Sequence, residues 1–310
     1  MNEMIAAGVV LYNPEDIERL NRCLDGILEE FDAVYIFDNS TNTTANAIAQ
    51  KSKVRYLTEY QNTGIAHALN QIMTEAKEDG YTWVVTFDQD SIIPKGMKTA
   101  YESNIGVDKD IAIVCPQVID KRRLYESPKL EPKMEFVKKC ITSASCTSIK
   151  AWENIGGFDE WLFIDLVDNE FCKRLEASGY KILKLNYLIL DQEFGVIKPK
   201  KKIVADFWIN VSKITGIKNI AKLSYKKCVS PIRVYYTNRN IIYVNRKLRN
   251  YGKVAYNSFN CKNYLGFIFS YIIPSIVRSD KKIETLNKTL IGIRDGITKK
   301  ARSEEHTSEL

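Results

Sequence analysis

The stretch Trp83-Val-Val-Thr-Phe-Asp-Gln-Asp-Ser91 decides the fold class. Its first five residues are mostly apolar, as expected for a strand covered on both faces, and two carboxylates follow directly. Asp88 and Asp90, one residue apart beyond a buried strand, can bind a hard cation and leave its other positions to water and phosphate oxygens. The alternative for such a pair is a solvated turn or a helix cap.

Further apolar runs predict the other strands of the sheet. They cover residues 4–12, 33–38, 54–57 and 111–115, and Pro116 is expected to end the last one. Helical patterns between them predict a helix that begins at Pro14, with Glu15 and Asp16 in its first turn, and a second helix over 65–79. This alternation predicts an α/β fold with a mostly parallel Rossmann-like sheet flanked by helices.

Polar side chains follow the ends of three predicted strands, namely Asn13, Asp38, Asp88 and Asp90. Because ligands of open α/β sheets bind outside the carboxyl ends of the strands, these four side chains should converge on one crevice. No Gly-x-Gly-x-x-Gly pattern follows the first strand. Its absence argues against a dinucleotide-binding oxidoreductase.

A second group of acids lies in Gly-Gly-Phe-Asp-Glu-Trp-Leu-Phe-Ile-Asp-Leu-Val-Asp-Asn-Glu, residues 156–170. Asp168 opens a predicted helix that ends at Ser178. Apolar neighbours around Asp165 and Asp168 suggest partial burial, which would raise the pKa of a carboxyl group and suit a general base. Asp168 and Glu170 are equally well explained as favourable first-turn acids of the helix.

The charge is divided unevenly along the chain. Residues 1–195 carry 21 Lys and Arg against 31 Asp and Glu, whereas residues 196–301 carry 23 against 4. The basic part should face an anion such as a nucleotide diphosphate, a lipid head group or nucleic acid. The run Lys198–Lys202 is interpreted as a solvated surface, because no stacking aromatic residues accompany it.

The apolar run 264–277 is interrupted by Pro274 and is shorter than the ~20 residues that a membrane-spanning helix needs. It could lie in a membrane interface or form the core of a helical bundle. We therefore expect a catalytic α/β domain over 1–200 and a basic, mainly helical region over 201–301. Residues 302–310, Arg-Ser-Glu-Glu-His-Thr-Ser-Glu-Leu, resemble a translated sequencing adapter, with a natural polar tail as the alternative.

Cysteine and histidine usage narrows the function further. Seven cysteines without a Cys-x-x-Cys pair indicate a reducing compartment, and the N-terminus lacks the cationic region of a signal peptide. Both point to the cytoplasm. Outside the suspected tail, His67 is the only histidine, and its position on a helix face with Ile65 and Leu69 suggests a structural role. Hydrolases that need a Ser-His or Cys-His pair are therefore disfavoured.

Several stretches together resemble the inverting family-2 glycosyltransferases of the Rossmann-like A fold, in particular their rhamnosyltransferase-like branch. They occur in the family's order and cover about residues 4–245. The matching stretches are Val9–Pro14, Asp38–Asn39, Asn62–Asn70, Phe87–Ser91, Gly156–Glu160, Phe163–Asp165 with Val167–Asp168, and Tyr235–Asn240.

The resemblance implies a role for individual positions. Asp88 and Asp90 would hold Mg²⁺ or Mn²⁺ on the donor diphosphate, with Asp90 as the direct ligand, and Asp168 would deprotonate the acceptor hydroxyl. On the acceptor side would lie Asp165 and Trp161, although Trp161, like Trp152 and Phe158, is explained equally well by core packing. The remaining donor-binding residues implied are Asn13, Asp38 and Asn39 for base and ribose, Gly64 for close backbone approach, Asn70 nearby, and Arg239 for the phosphates.

Two positions depart from the family pattern. Gln192 stands where the family often has a histidine next to the metal or the phosphate, which leaves the coordination of the cation open. Val167 stands where the wider family often has an acid before the base, as is usual in the rhamnosyltransferase-like branch.

The resemblance implies transfer of a sugar, such as the deoxyhexose rhamnose, from a nucleoside-diphosphate sugar to a saccharide or lipid-linked saccharide in cell-surface polysaccharide synthesis. The enzyme would be cytoplasmic or peripheral at the inner face of the plasma membrane, with no nucleic-acid partner. One alternative is a nucleotidyltransferase, which would want a Gly-rich basic loop where Tyr12-Asn13-Pro14 stands. Another is a non-catalytic adaptor at a membrane surface or on nucleic acid, which has no use for acids converging on one crevice.

Overall fold

The computed structural model describes residues 3–41, 53–123, 127–193, 195, 197–216 and 218–299. The suspected tail, residues 302–310, lies outside these ranges. The strands are β1 Ile5–Leu11, β2 Val34–Asp38, β3 Val54–Thr58, β4 Trp83–Asp88, β5 Ile111–Ile119, β6 Met134–Val137, β7 Ser145–Ser148, β8 Lys181–Asp191, β9 Ile197–Pro199 and β10 Tyr225–Lys227. The α-helices are α1 Ile17–Glu30, α2 Ile65–Glu78, α3 Met97–Ile105, α4 Ile149–Asn154, α5 Val167–Ala177, α6 Lys202–Thr215, α7 Lys218–Ala221, α8 Pro231–Lys247, α9 Val254–Ser258, α10 Tyr264–Phe267, α11 Ile273–Arg278 and α12 Lys282–Thr298.

Eight strands form one mixed sheet in the order β3-β2-β1-β4-β7-β5-β8-β6. The pairs β3-β2, β2-β1, β1-β4 and β5-β8 are parallel, whereas β7 and β6 run antiparallel to their neighbours. The predicted mostly parallel α/β sheet is therefore confirmed. Because β1, β2 and β4 run in the same direction, the polar residues that follow them reach the same edge of the sheet.

Each face of the sheet is covered by helices. Alternate side chains of a strand point to opposite faces, and in β1 Ala6 and Val10 pack in one core while Ala7 and Val9 pack in the other. The first core also contains apolar residues of α2, α5 and α8, and the second contains those of α1 and α3. This double cover explains why the strand segments are apolar along their whole length.

Two proline predictions were wrong. Helix α1 begins at Ile17, and Asp16 caps it by accepting a hydrogen bond from the Arg19 N–H, so Pro14 precedes the helix. Strand β5 does not end at Pro116 but continues to Ile119. Its pairing with β8 shifts register directly after Pro116, and such an irregularity tolerates a residue that lacks an N–H donor.

The core does not end at the predicted domain boundary near residue 200. Ile241 and Val244 of α8 are fully buried in the same core as Leu69 of α2 and Val84 of β4. Helix α12 packs along α8. The basic region therefore shares its core with the sheet domain, and the division at residue 200 stays a prediction.

The apolar run near the C-terminus is helical throughout. A π-helical turn, Ile268–Ile272, joins α10 to α11, and Pro274 lies in the first turn of α11. Proline removes one i→i−4 hydrogen bond, so it is tolerated where the helix changes its bonding pattern. Within the described ranges, no helix is both long and apolar enough to cross a bilayer.

Candidate active site

A crevice of about 620 Å³ opens at the carboxyl ends of β1 and β4. Its volume is that of a typical small-molecule site. Side chains from the sheet, from the start of α5 and from the basic C-terminal region line it. The lining residues discussed below are Asn39, Gly64, Asp88, Asp90, Asp165, Asp168, Gln192, Arg233 and Phe259.

A buried glutamine joins the two acids that follow β4. The Nε2 of Gln192 donates to Asp88 Oδ2 at 2.9 Å and to Asp90 Oδ1 at 3.0 Å. Its Oε1 accepts from the hydroxyl groups of Ser91 and Ser143, at 2.7 and 2.8 Å. Because ionised carboxylates only accept hydrogen bonds, the NH₂ end must face them. The side-chain amide of Gln192 thus holds the carboxylates of Asp88 and Asp90 close to each other.

The surroundings disfavour negative charge on this pair. Burial, with the nearby charges of Asp90 and Asp168, raises the pKa of Asp88 to about 7. Burial also raises the pKa of Asp90, although the charge of Arg19 opposes the shift. Crowded carboxylates of this kind gain from a neighbouring positive charge.

Asp88 and Asp90 fit a divalent cation whose remaining ligands are not side chains of the protein. Oxygens of Asp88 and Asp90 lie within 3.0 Å of one nitrogen atom, so both can face one cation. In the described part of the chain, no group of three or more acidic, histidine or cysteine side chains is arranged to hold a metal. Mg²⁺ and Mn²⁺ accept such a sparse set of carboxylates when water and phosphate oxygens complete the coordination.

Asp168 lies in the first turn of α5 and lines the crevice. One of its oxygens accepts the Asn169 N–H at 2.9 Å. Burial raises the pKa of Asp168 to about 6, and the charge of Asp165 adds to the shift. The two interpretations left open by the sequence are therefore compatible, because a first-turn acid also faces the ligand space.

The segment before Asp168 has an unusual backbone. Phe163, Asp165 and Leu166 have φ values of 62°, 67° and 65°, a region that residues other than glycine rarely occupy. Gly64 faces this segment, and a Cβ there would lie 2.6 Å from Phe163 Cδ2 and 2.8 Å from its carbonyl oxygen. Gly64 therefore makes room for Phe163. Backbone strain of this kind persists only where the surrounding contacts impose it.

Helix α8 supplies one set of those contacts through Asp165. Arg233 forms an ion pair with Asp165, and the Thr237 hydroxyl donates to Asp165 Oδ2 at 3.2 Å. The Tyr271 hydroxyl donates in turn to Thr237 Oγ1 at 3.0 Å. Burial lowers the pKa of Arg233, but the charge of Asp165 outweighs it and raises the pKa overall. Arg233 therefore brings a permanent positive charge to the crevice.

Asn240 supplies the second set of contacts that hold the strained segment 163–166. Its side-chain amide donates to the carbonyl groups of Leu162, Ile164 and Asp165, each at 2.8 Å. Asn240 is fully buried. One side chain thus binds three carbonyl groups within residues 162–165 of the strained segment.

Arg239, which the resemblance assigned to the phosphates, lies behind the crevice wall. Its guanidinium is buried, donates to the carbonyl groups of Trp161 and Leu162, and lies 4.0 Å from the centre of the Trp161 ring. It is not among the crevice-lining residues of the described chain. Its hydrogen bonds support the backbone just before Asp165, and Arg233 is the cationic side chain among the crevice-lining residues of the described chain.

Of the residues predicted to bind base and ribose, some line the crevice and others lie behind or outside it. Asn39 lines the crevice and donates to the Gly64 carbonyl at 3.2 Å. Asp38 is buried, and its oxygens accept from the Ser40 N–H and the Tyr56 hydroxyl. Asn13 is exposed and donates its N–H to Ser40. Only Asn39 of the three reaches the crevice directly.

The other predicted positions lie behind the crevice wall. Asn70 accepts from the Trp152 indole at 3.0 Å and from the Phe158 N–H at 2.9 Å, so it joins α2 to α4 and to the loop after α4. Phe158 stacks on Phe171, and Trp161 packs against Tyr243. These contacts favour core packing over a sugar platform.

His67 makes the contacts of a structural residue. Its two ring nitrogens lie 2.7 Å from Glu59 and 3.0 Å from Glu160. Burial lowers the pKa of His67, but hydrogen bonds to these two carboxylates raise it overall.

Sequence reasoning missed Arg233 and Ser143. A signal for Arg233 was available, since Arg233, Thr237 and Asn240 recur at i, i+4 and i+7 and therefore share one helix face. Ser143 precedes a short strand that no pattern predicted, and nothing local marks it as a partner of Gln192.

Two solved structures have a similar fold. The structure of GalNAc-T7 with UDP, GalNAc and Mn²⁺ matches with a TM-score of 0.53 and 10% identity, covering 87% of this chain and 57% of that chain. The structure of the mannosyltransferase PcManGT from Pyrobaculum calidifontis, in complex with GDP-Man and Mn²⁺, matches with a TM-score of 0.51 and 15% identity, covering 94% and 88%. These two likenesses show that the chain has the A-type fold that its motifs predicted.

The family follows from the sequence comparisons. The model of glycosyl transferase family 2 matches residues 7–156. The dTDP-rhamnosyl transferase RfbF of Shigella flexneri is 31% identical over 314 aligned positions, covering 96% of each chain. The chain belongs to glycosyl transferase family 2, and the resemblance found in its motifs is confirmed.

Proposed function

We propose that the chain is an inverting, metal-dependent rhamnosyltransferase that transfers the sugar of a nucleoside-diphosphate donor, dTDP-rhamnose, to a hydroxyl group of a saccharide acceptor. The observation that carries the reaction type is the convergence of Asp88, Asp90, Asp168 and Arg233 on one crevice. The donor sugar is supported by the likeness to the Shigella flexneri protein over 96% of both chains.

In this proposal Asp168 is the general base. The acceptor oxygen attacks the anomeric carbon, the bond from that carbon to the diphosphate breaks, and the acceptor proton passes to Asp168. Attack from the face opposite the leaving group inverts the anomeric configuration, so no covalent enzyme intermediate is needed. A carboxylate with a pKa of about 6 is largely ionised at neutral pH and basic enough to take the proton.

Asp88 and Asp90 would hold Mg²⁺ or Mn²⁺, with Gln192 keeping the two carboxylates directed to the same point. A bound cation would neutralise charge on the leaving diphosphate. Asp90 as the direct ligand remains part of the proposal.

Arg233 is proposed as the second positive charge near the diphosphate. It replaces Arg239 in this role, because Arg239 is engaged with backbone carbonyl groups behind the wall. Its partner Asp165 orients it from the acceptor side of the crevice. Asn39 and Gly64 are proposed to contact the nucleoside.

The cellular role proposed is the assembly of a cell-surface polysaccharide from the cytoplasmic side, with a saccharide or lipid-linked saccharide as acceptor. Seven free thiols in the described chain are consistent with a reducing compartment.

The test is a donor panel in the presence of Mn²⁺ or Mg²⁺, with thermal stabilisation and transfer as readouts. dTDP-rhamnose with metal should stabilise the wild-type chain, and UDP-glucose or GDP-mannose should do so less. Asp90→Asn serves as the matched control and should lose the metal-dependent part. Product anomers distinguished by NMR should show inversion. Full activity in excess EDTA would remove the metal role, and a preference for UDP-glucose or GDP-mannose would refute the donor assignment.

A further inference from the structure

The imidazole of His67, in the first turn of α2, lies between two carboxyl groups. One ring nitrogen is 2.7 Å from Glu59 Oε1 and the other is 3.0 Å from Glu160 Oε2. Glu59 belongs to the loop after β3, whereas Glu160 begins a one-turn 3₁₀ helix, Glu160–Leu162, that follows α4. These two contacts form a bridge, the His67 bridge, between two segments that are distant in the sequence.

Both bridged segments continue into the wall of the crevice. The loop after β3 runs on to Gly64, and the 3₁₀ helix runs on to the strained segment 163–166; both line the crevice. The two segments also meet directly, because the Ile65 N–H donates to the Phe163 carbonyl at 2.7 Å. The His67 bridge therefore joins two parts of one wall from outside the crevice.

The chemistry of the bridge requires a charged ring. A neutral imidazole donates a hydrogen bond through one nitrogen and accepts through the other, whereas an ionised carboxylate only accepts. The second oxygen of Glu160 already accepts from Asn70 Nδ2 at 2.8 Å. Both contacts of His67 are therefore hydrogen bonds only when both ring nitrogens carry a proton, that is, when His67 is an imidazolium cation.

The surroundings of His67 favour this cation. The titratable groups that face the ring are Glu59 and Glu160, while β2 contributes the Phe37 ring, with centroids 5.9 Å apart, and α2 the uncharged Asn70. Burial lowers the pKa of His67, but the two carboxylates raise it overall from its ordinary value of 6.5. The stabilisation by the bridge is therefore complete below about pH 6.5 and is lost as the pH rises through the raised pKa.

The loop that the bridge holds also fixes Asn39, the crevice residue proposed to contact the nucleoside. Asn39 Oδ1 accepts from the Thr63 N–H at 3.1 Å and from the Thr63 hydroxyl at 3.0 Å. The amide of Asn39 donates to the Gly64 carbonyl at 3.2 Å. The positions of Asn39 and Gly64 therefore depend on a loop whose beginning is anchored at Glu59 by His67.

We propose that His67, as an imidazolium, is a positioning residue for the nucleoside of the donor. Its bridge holds the loop 59–64 against the 3₁₀ helix and so fixes the part of the crevice where Asn39 and Gly64 contact the nucleoside. When the imidazolium releases its proton to water, one hydrogen bond is lost and a nitrogen lone pair faces a carboxylate oxygen. The inference rests on the proposed function, in which the crevice binds a nucleoside-diphosphate sugar.

The first measurement is an NMR titration of His67 in the full chain. The sequence has two histidines, and His67→Gln identifies the signal of the first. The pKa of His67 should lie above 6.5 in the wild type and fall in Glu59→Gln and in Glu160→Gln. The matched control is Glu78→Gln, which removes an exposed carboxyl group at the other end of α2 and should leave the titration unchanged. An unchanged titration in both partner variants overturns the proposal.

The second measurement is the affinity for thymidine at about pH 6 and about pH 8.5, a range in which histidine titrates. Thymidine is uncharged there and needs no metal, so Asp88 and Asp90 do not contribute. Because Glu59 and Glu160 are 39% and 49% exposed, the wild type should bind only about five-fold more weakly at the higher pH. His67→Gln should bind equally at both, close to the weaker value. Thermal melting establishes that each variant is folded.

Protonation and binding are linked, so thymidine must in turn raise the pKa of His67 in the wild type, a test that needs no variant. Equal thymidine affinity of the wild type at the two pH values, or a pKa of His67 that thymidine leaves unchanged, refutes the positioning role. Absence of thymidine binding at both pH values overturns it as well, since no nucleoside is then positioned. Thermal stabilisation by dTDP with Mn²⁺ decides the proposed function separately, so the two failures are distinguishable.

Discussion

Replacing Asp168 by asparagine should inactivate the enzyme and stabilise it at the same time. Asparagine has the same shape and can accept the same Asn169 N–H, but it cannot take a proton. Turnover should therefore fall by ~10²–10⁴-fold. In the wild type, turnover should rise with pH through about 6, because only the ionised form of Asp168 is a base.

The stability change follows from the same pKa. The difference between the ordinary value of 3.8 and about 6 in the folded state corresponds to at most about 3 kcal/mol of unfolding free energy. Because Asp168 is partly exposed, we expect ~1–2 kcal/mol. A raised folded-state pKa of an acid means that folding disfavours the ionised form. The penalty is therefore absent below about pH 4 and complete above about pH 6.

Urea unfolding of Asp168→Asn and the wild type at about pH 8 and about pH 4 measures this difference. The variant should be more stable at the higher pH and equal to the wild type at the lower. Asp165→Asn is the control, and it should show no gain in stability at about pH 8, because it removes the ion pair with Arg233 and no burial penalty. A variant at 168 that keeps a third of wild-type activity would move the base elsewhere, with Asp165 next in line. Equal stability of the two chains at about pH 8 would refute the burial argument.

Three further predictions concern the residues around the crevice. Arg233→Ala should raise the KM for the donor about ten-fold with little loss of stability. Arg239→Ala should cost ~2–4 kcal/mol of unfolding free energy, because the Trp161 carbonyl loses its Arg239 donor, the Leu162 carbonyl loses one of its donors, and the contact of the guanidinium with the Trp161 ring is lost. Steady-state kinetics with urea unfolding measures both, and a stable Arg239→Ala with a raised donor KM would restore the phosphate role predicted from the sequence. Gln192→Ala should weaken Mn²⁺ binding by ~10–100-fold, as is usual when residues that orient metal ligands are removed. An EPR titration without substrate measures the affinity. Unchanged affinity would contradict the proposal that Gln192 positions Asp88 and Asp90. Gly64→Ala should lower the unfolding free energy by ~2–4 kcal/mol and reduce turnover. The new Cβ would clash with Phe163, and alanine would have to adopt the positive φ of 89° that Gly64 has. A variant of native stability and activity would show that the segment 163–166 can move without loss of stability.

Much of the sheet and of its functional edge followed from local patterns. The apolar runs around β1, β2 and β4 marked buried strands, since a strand covered on both faces has no polar alternation. The acids after β4 could be assigned to the crevice because parallel strands end at the same edge. Helix α2 was predicted over 65–79 and observed over Ile65–Glu78.

Other features escaped because their cause lies far along the chain. Strand β7 is only four residues long and is stabilised by pairing with β4 and β5 on either side. Pro116 did not end β5, since β8 shifts its register at that point and tolerates the missing donor. Both features depend on neighbouring strands that are distant in the sequence. The local propensities of β7 and of the residues around Pro116 therefore could not predict them.

Arg233 and Arg239 show most clearly the difference between what the sequence predicted and what the tertiary structure decided. Both are cations on one helix, and the motif around Tyr235–Asn240 favoured Arg239. The sequence by itself indicated that a cationic region follows the acidic residues, and the resemblance of its motifs predicted one site for Asp88, Asp90 and Asp168. Only the tertiary structure decided which face of α8 meets the segment 163–166, because six residues at 100° each turn Arg239 about 120° away from Arg233 on α8. The packing of α8 on the core and on α12, which no local pattern encodes, sets that rotation.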